Sequence, residues 1–177
     1  PADWVSPNPD GGYRDDPPAA DGKKVVISDT DHLWGIGGNT AWVWKSFLRG
    51  HHPVFMDPYD GLVLGGRFES KYEPVRRALG IARRLAERVD LAAMTPQGKL
   101  ASSGYCLANP GREYVVYLPA GGKVTVDLSA AQGMLAVEWL DARTGKAAPG
   151  SAVPGGATRS LKAPFAGEAV LRLTRTS

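Results

Sequence analysis

The chain carries a single cysteine, Cys106, among 177 residues. One thiol closes no internal disulfide and builds no cysteine-based zinc site; in its apolar surroundings it reads as a small core residue. Long hydrophobic runs are missing too. None approaches the roughly 20 residues that a membrane-spanning helix needs, so no membrane partner is expected. Histidines number three, and no cofactor or metal is expected. Neither sign of charge dominates: 21 Lys and Arg face 18 Asp and Glu, for a net charge of +3. The basic cluster of Arg76, Arg77, Arg83, Arg84 and Arg88 falls on one expected helix and reads as its solvated face. No basic run alternates with stacking aromatics, so no nucleic-acid partner is expected.

Turn formers are plentiful, with 22 Gly and 14 Pro, and they imply many turns and a β-rich region. Residues 1–23 are interrupted by Pro, Gly and Asp and read as a loop. The chain opens on Pro1 rather than Met and reads as cut from a longer parent. A short apolar run at residues 25–28 predicts a buried strand. Asn39 or Thr40 caps a helix carrying Trp42, Val43, Phe47 and Leu48. A second strand is predicted over residues 53–56. A second helix opens near Glu73, with Pro74 suited to the first helical position and Val75, Leu79, Ala82, Ala86 and Val89 at three- and four-residue steps.

After about residue 100 the hydrophobic period becomes two. Residues 102–108, 113–118, 123–128, 134–141 and 169–174 read as strands, and residues 149–158 as a loose connection. Strands so spaced predict a small antiparallel sandwich.

The chemistry concentrates where the first strand breaks off into Asp29-Thr30-Asp31-His32-Leu33-Trp34. A strand, a helix and a strand that each end in acids form one βαβ unit with its chemistry at the carboxyl edge. Carboxylates at a strand tip do acid–base work, and a Trp face packs on a ligand's apolar face. Asp31 and then Asp29 are the candidate catalytic acids, one facing a pocket and the other holding a loop. His32, Trp34, Asp57 and Tyr59 are candidate substrate-binding residues. Asp29, Asp31, His32 and Asp57 also form an oxygen-rich set, but their spacing matches no calcium loop. Gly35-Ile36-Gly37-Gly38 lacks the Lys-Ser/Thr of a P-loop and reads as a turn into the helix. Trp42 and Trp44 read as packing, and His51 and His52 carry no assigned role.

The segments Ile27-Ser28-Asp29-Thr30-Asp31-His32-Leu33-Trp34-Gly35, Trp42-Val43-Trp44-Lys45-Ser46-Phe47 and Val54-Phe55-Met56-Asp57-Pro58-Tyr59 resemble the last two βα units of the apiosidase-like glycoside hydrolases, a (β/α)8-barrel group. The tail, from Met94-Thr95-Pro96 through Gly104-Tyr105-Cys106-Leu107-Ala108-Asn109-Pro110-Gly111 to Val170-Leu171-Arg172-Leu173, resembles the collagen-binding-type C-terminal domain that follows such barrels. The resemblance implies an α/β plus all-β chain: the C-terminal portion of a (β/α)8 (TIM) barrel over residues 1–95, then a small antiparallel β-sandwich over residues 96–177. It implies the C-terminal fragment of a secreted glycoside hydrolase, extracellular or periplasmic, acting on O-glycosidic bonds of polysaccharide. The fragment would hold half of a carboxylate pair, with the missing N-terminal barrel portion as its partner. The tip departs from the family in offering Asp29 and Asp31 where relatives carry Glu. The alternative is a non-catalytic carbohydrate- or collagen-binding sandwich, with Tyr105, Tyr114, Tyr117 and Trp139 as candidate aromatics on a sheet face.

Overall fold

A computed structural model describes residues 2–56 and 70–176. Strand β1 (Trp4–Val5) precedes β2 (Val25–Asp29), which runs into a short helix α1 (Thr30–Trp34) and then α2 (Thr40–Leu48). Strand β3 (His51–Val54) returns beside β2, giving a parallel sheet in the order β1-β2-β3. The α2 helix starts where the Asn39 side chain accepts a hydrogen bond from the Trp42 N–H at 2.8 Å, satisfying one of the orphan donors of its first turn. Helix α3 (Glu73–Ala86) buries Val75, Ala78, Ile81, Ala82 and Leu85 and leaves Arg77, Arg83 and Arg84 exposed, as an apolar stripe at helical spacing requires.

The chain then becomes β throughout. Strands β4 (Thr95–Pro96), β5 (Cys106–Asn109), β6 (Glu113–Leu118), β7 (Lys123–Asp127), β8 (Met134–Asp141), β9 (Ala147–Pro154), β10 (Thr158–Lys162) and β11 (Ala169–Arg175) follow. Six of them form an antiparallel sheet in the order β4-β5-β6-β11-β8-β9, and β7 pairs with β10 separately. All six residues of β6 are buried, because both faces of the sheet are covered at this central strand, whereas β8 and β9 leave one row of residues open to solvent. Tyr114, Val116 and Leu118 enter a core with Cys106, Leu171, Trp139, Val126 and Leu161. Val115 and Tyr117 point the other way, into a core with Leu107, Val170, Leu140 and the apolar faces of α2 and α3. The period-two alternation of a strand thus deals its residues to two cores.

The second of these cores crosses residue 95. Trp44 of α2 stacks on Tyr117 of β6 with ring centroids 6.3 Å apart, and its indole N–H donates to the Ala142 carbonyl at 3.0 Å. At the far end of α3, the Arg88 Nη2 donates to both carboxylate oxygens of Glu138 (2.8 and 2.7 Å). Arg172 pairs with the largely buried Glu113 at 2.7 Å and donates to the Arg88 carbonyl.

The expected fold class is not what forms. The chain is mostly β, and its described parallel strands make an open sheet rather than units of a (β/α)8 barrel. A strand–helix–strand pattern is shared by every α/β architecture, so the pattern alone does not distinguish a barrel from an open sheet. Three further elements differ from expectation. The opening loop contributes β1, the connection over residues 149–158 contributes most of β9 and the start of β10, and the acidic tip itself is helical as α1.

Because the sheet's helix-facing side is apolar, residues 96–177 made alone would expose Tyr105, Leu107, Val115, Tyr117 and Leu140. We expect that piece to bind 1-anilinonaphthalene-8-sulfonate strongly and to unfold without a sharp transition, whereas the 177-residue chain unfolds cooperatively. A sharp denaturant transition of the piece alone would show that the shared core is dispensable.

Candidate functional site

The carboxyl end of β2 gathers most of the described candidate residues. Asp29 is the last residue of the strand and the N-cap of α1: its Oδ1 accepts from the Asp31 N–H at 2.9 Å. One of its two carboxylate oxygens is therefore engaged with backbone. Asp31 and His32 lie on the first turn of α1 with exposed side chains, and the Asp31 carboxylate makes no side-chain hydrogen bond or ion pair among the described residues. His32 Nδ1 lies 2.7 Å from Ser6 Oγ. Trp34 is half-buried. One edge packs on Trp42, with centroids 5.4 Å apart and planes at 86°, and the Arg14 guanidinium sits 5.9 Å from its ring centroid. Arg14 also donates from Nε to the Leu33 carbonyl. Thr30 Oγ1 accepts from the Met56 N–H at 2.8 Å, tying this tip to the end of β3.

The glycines after α1 permit the turn into α2. Gly38 has φ +86°, a conformation that side-chain-bearing residues rarely adopt, and a Cβ on Gly37 would lie 2.8 Å from Trp34 Cβ. Asp57 and Tyr59 lie outside the described residues. Ser6 and Arg14 went unnoticed in the sequence because the opening loop has no periodicity to place them. Among the described residues, no three of His, Cys, Asp and Glu come together closely enough to hold a metal ion, and no helix is long and apolar enough to cross a membrane.

The opening loop is itself anchored on the β half. The Tyr105 hydroxyl donates to Asp16 Oδ1 at 2.7 Å, and the Arg49 guanidinium lies over the Tyr105 ring at 4.8 Å and 3.5 Å from Asp16. Burial, with the Asp16 carboxylate beside it, pushes the Tyr105 phenol up to about 12. The hydrogen bond from Tyr105 holds the Asp16 carboxyl below its ordinary value.

His51, given no role from sequence, is a buried structural residue. Its Nδ1 lies 2.9 Å from Oγ of the fully buried Ser28. Burial lowers its pKa from 6.5 to about 4, against the opposing effect of a hydrogen bond to the Pro18 backbone. Ser28 and His51 resemble a nucleophile–base pair in composition, but a fully buried hydroxyl meets no substrate. The four aromatics considered for a sugar platform, Tyr105, Tyr114, Tyr117 and Trp139, are all buried. Cys106 is likewise a core residue, its thiol pushed up by burial to about 12.

Residues 94–170 match the family model described as "Putative collagen-binding domain of a collagenase". No curated protein matches the chain in sequence. Among solved structures, it is similar to a glycoside hydrolase, with a TM-score of 0.62 and 14% identity over 86% of this chain and 43% of the other. It is also similar to a family 5 glycoside hydrolase from Bacteroides vulgatus ATCC 8482, with a TM-score of 0.63 and 15% identity over 88% of this chain and 42% of the other. At such identity the likeness is one of fold. The chain spans less than half the length of these structures.

Two outcomes follow from this geometry. Asp29→Ala removes the cap of α1 and should cost about 1 kcal/mol, whereas Asp31→Ala should stay within about 0.5 kcal/mol of the parent chain; urea unfolding compares them. For His51, the folded pKa lies below the unfolded one, so the unfolded state takes up the proton first. Its contribution is complete above pH 6.5 and is lost as pH falls through about 4. That loss amounts to up to about 3 kcal/mol, and unfolding curves of the His51→Asn variant should be flatter across this window.

Proposed function

We propose that the chain is a C-terminal part of a longer carbohydrate-active enzyme, a glycoside hydrolase acting on O-glycosidic bonds, with Asp31 as one of its two working carboxyls. The observation that carries this reading is the β2 tip, where an exposed and uncommitted Asp31 stands beside His32 and Trp34. The likeness in fold to glycoside hydrolases over most of the chain supports it. Hydrolysis needs a second carboxyl about 5–5.5 Å from the first for retention of configuration, or farther for inversion. In this reading Asp29, with one oxygen capping α1, holds the tip rather than acting as that second carboxyl. The second carboxyl then comes from elsewhere in the longer protein. Trp34, braced by Trp42 and Arg14, and His32, held by Ser6, are the substrate-binding residues.

The parallel sheet supports the same reading. Trp4, Val25 and Val54 are exposed on one of its faces, which also carries Ile27, His52 and Asp29, while parallel sheets are ordinarily covered on both sides. We assign its cover to the remainder of the longer protein. The β half is then a scaffold that holds the tip in place. Because polymeric glycans met from the surroundings are too large and polar to cross a membrane intact, we assign the enzyme an extracellular or periplasmic location.

The 177-residue chain alone should release no 4-nitrophenol from aryl glycosides. In the longer protein, Asp31→Asn should lower kcat/KM by at least about a hundredfold. Asp29→Asn, which keeps an oxygen at the cap, should leave most of the activity intact. Turnover by the isolated chain, or full activity of the Asp31→Asn enzyme, would overturn the assignment. Retention on collagen-agarose with no activity in the longer protein would favour a matrix-binding module instead.

A further inference from the structure

At the end of the six-stranded sheet remote from the β2 tip, a groove of about 500 Å³ opens beside the β5–β6 turn and the close of β11. Arg112 and Arg175 line it. They face each other across the ladder: Thr174 pairs with Glu113, and the Arg175 N–H donates to the Arg112 carbonyl at 2.8 Å one step further on. Directly opposed like charges on antiparallel strands repel and destabilise the pair. Among the described residues neither guanidinium has a hydrogen-bond or ion-pair partner.

The other polar groups in the groove divide cleanly. The Glu113 carboxylate is taken by Arg172 at 2.7 Å and by the Asp90 N–H at 3.4 Å. The Thr174 hydroxyl lies 3.5 Å from Glu113 Oε1, and that of Thr176 donates to the Met134 carbonyl at 3.1 Å. Glu113 is therefore unavailable to neutralise the two arginines. Among the described residues the side chains of Asn109 and Asp90 are left uncommitted. The groove thus offers two cationic forks that match a planar carboxylate or a sulfate, one amide, and one carboxylate that accepts hydroxyl protons.

We propose that this groove binds an acidic saccharide, its carboxylate or sulfate held between Arg112 and Arg175 and its hydroxyls bound by Asn109 and Asp90. The inference rests on the carbohydrate-active reading and adds a second, anion-selecting site on the β half. A simple anion satisfies the arginines but leaves Asp90 facing like charge. A sugar acid satisfies both, which is why a saccharide rather than a free ion is the expected ligand.

Isothermal titration of the 177-residue chain with trigalacturonate, a chondroitin sulfate tetrasaccharide, cellotriose and sodium sulfate tests this. At least one of the two acidic oligosaccharides should bind, and which one does identifies carboxylate or sulfate as the anchoring group. Cellotriose and sodium sulfate should bind at least about tenfold more weakly, the loss expected when a charge-assisted pair or the hydroxyl contacts are missing. Arg112→Ala and Arg175→Ala should each weaken the acidic ligand by about tenfold or more, with thermal melting not lowered, because both side chains are exposed and losing either relieves their mutual repulsion. Asp90→Asn should weaken the saccharide but not sulfate. The proposal is overturned if no acidic oligosaccharide binds at millimolar concentration, if sodium sulfate binds as tightly as they do, or if the Arg112→Ala/Arg175→Ala double variant binds within twofold of the parent. Cellotriose binding as tightly as the acidic oligosaccharides, and retained by the double variant, would uphold the carbohydrate-active reading while overturning this site. Failure of the wider reading would instead appear as inactivity of the longer protein.

Discussion

The burial of the central strands of the six-stranded sheet on both faces is the constraint on which the other arrangements depend. Strand β6 has no exposed residue, so each of its side chains must find a partner layer. The even-numbered positions Tyr114, Val116 and Leu118 are met by strands β7 and β10, while Val115 and Tyr117 need the helices. A sheet patterned this way is unstable with either layer removed, because whole rows of apolar side chains would face water at roughly 25 cal/mol per Å². The helices are equally dependent. The Trp44 indole N–H finds its acceptor at Ala142, on the far side of the boundary expected near residue 95, and a buried donor without one is costly.

How much of this could be read from sequence depends on how each element is buried. The β6 run Glu113–Leu118 and the apolar stripe of α3 were legible, because packing imposes a strict period on both. Strand β9 was not. It lies at the sheet edge, where Pro149, Gly150 and Pro154 are tolerated because the outward ladder groups need no partner. Those same residues read as a turn in one dimension. Strand β1 has two residues and leaves no periodic trace. The barrel expectation failed at a different level: the local unit was legible, but the number of strands joining it is a tertiary property that no local pattern records.

At the β2 tip the residue types were legible and their division of labour was only half so. Two aspartates two residues apart at a strand end either point together or diverge, and the turn into α1 makes them diverge. Asp29 closes the first turn of the helix while Asp31 stands clear of it. A strand that runs directly into a helix needs an acceptor at the junction, and this requirement picks out Asp29 over Asp31. The aromatics of the β half were misjudged as a possible sugar platform for a related reason. Tyr and Trp in alternating strands are ambiguous as to face, and here a second covering layer makes both faces interior.

The same covering also reaches the tip. Tyr105, fixed in the helix-side core by its contact with Tyr117, presents its hydroxyl to Asp16 and its ring to Arg49. That contact, together with the Lys45 ammonium on the Asp15 carbonyl and the Ala20 N–H on the Arg49 carbonyl, holds the opening loop in place. The loop in turn delivers Arg14 to Trp34 and Ser6 to His32. Arg14 and Asp16 are two residues apart in one chain, so the anchor at Tyr105 also restrains the segment that carries the guanidinium bracing Trp34. The β half therefore helps to orient the tip's aromatic and imidazole by anchoring the loop that carries Arg14 and Ser6. Positions such as Tyr105 and Asp16, which carry no chemistry of their own, should thus matter to the tip's geometry as much as the residues that form it.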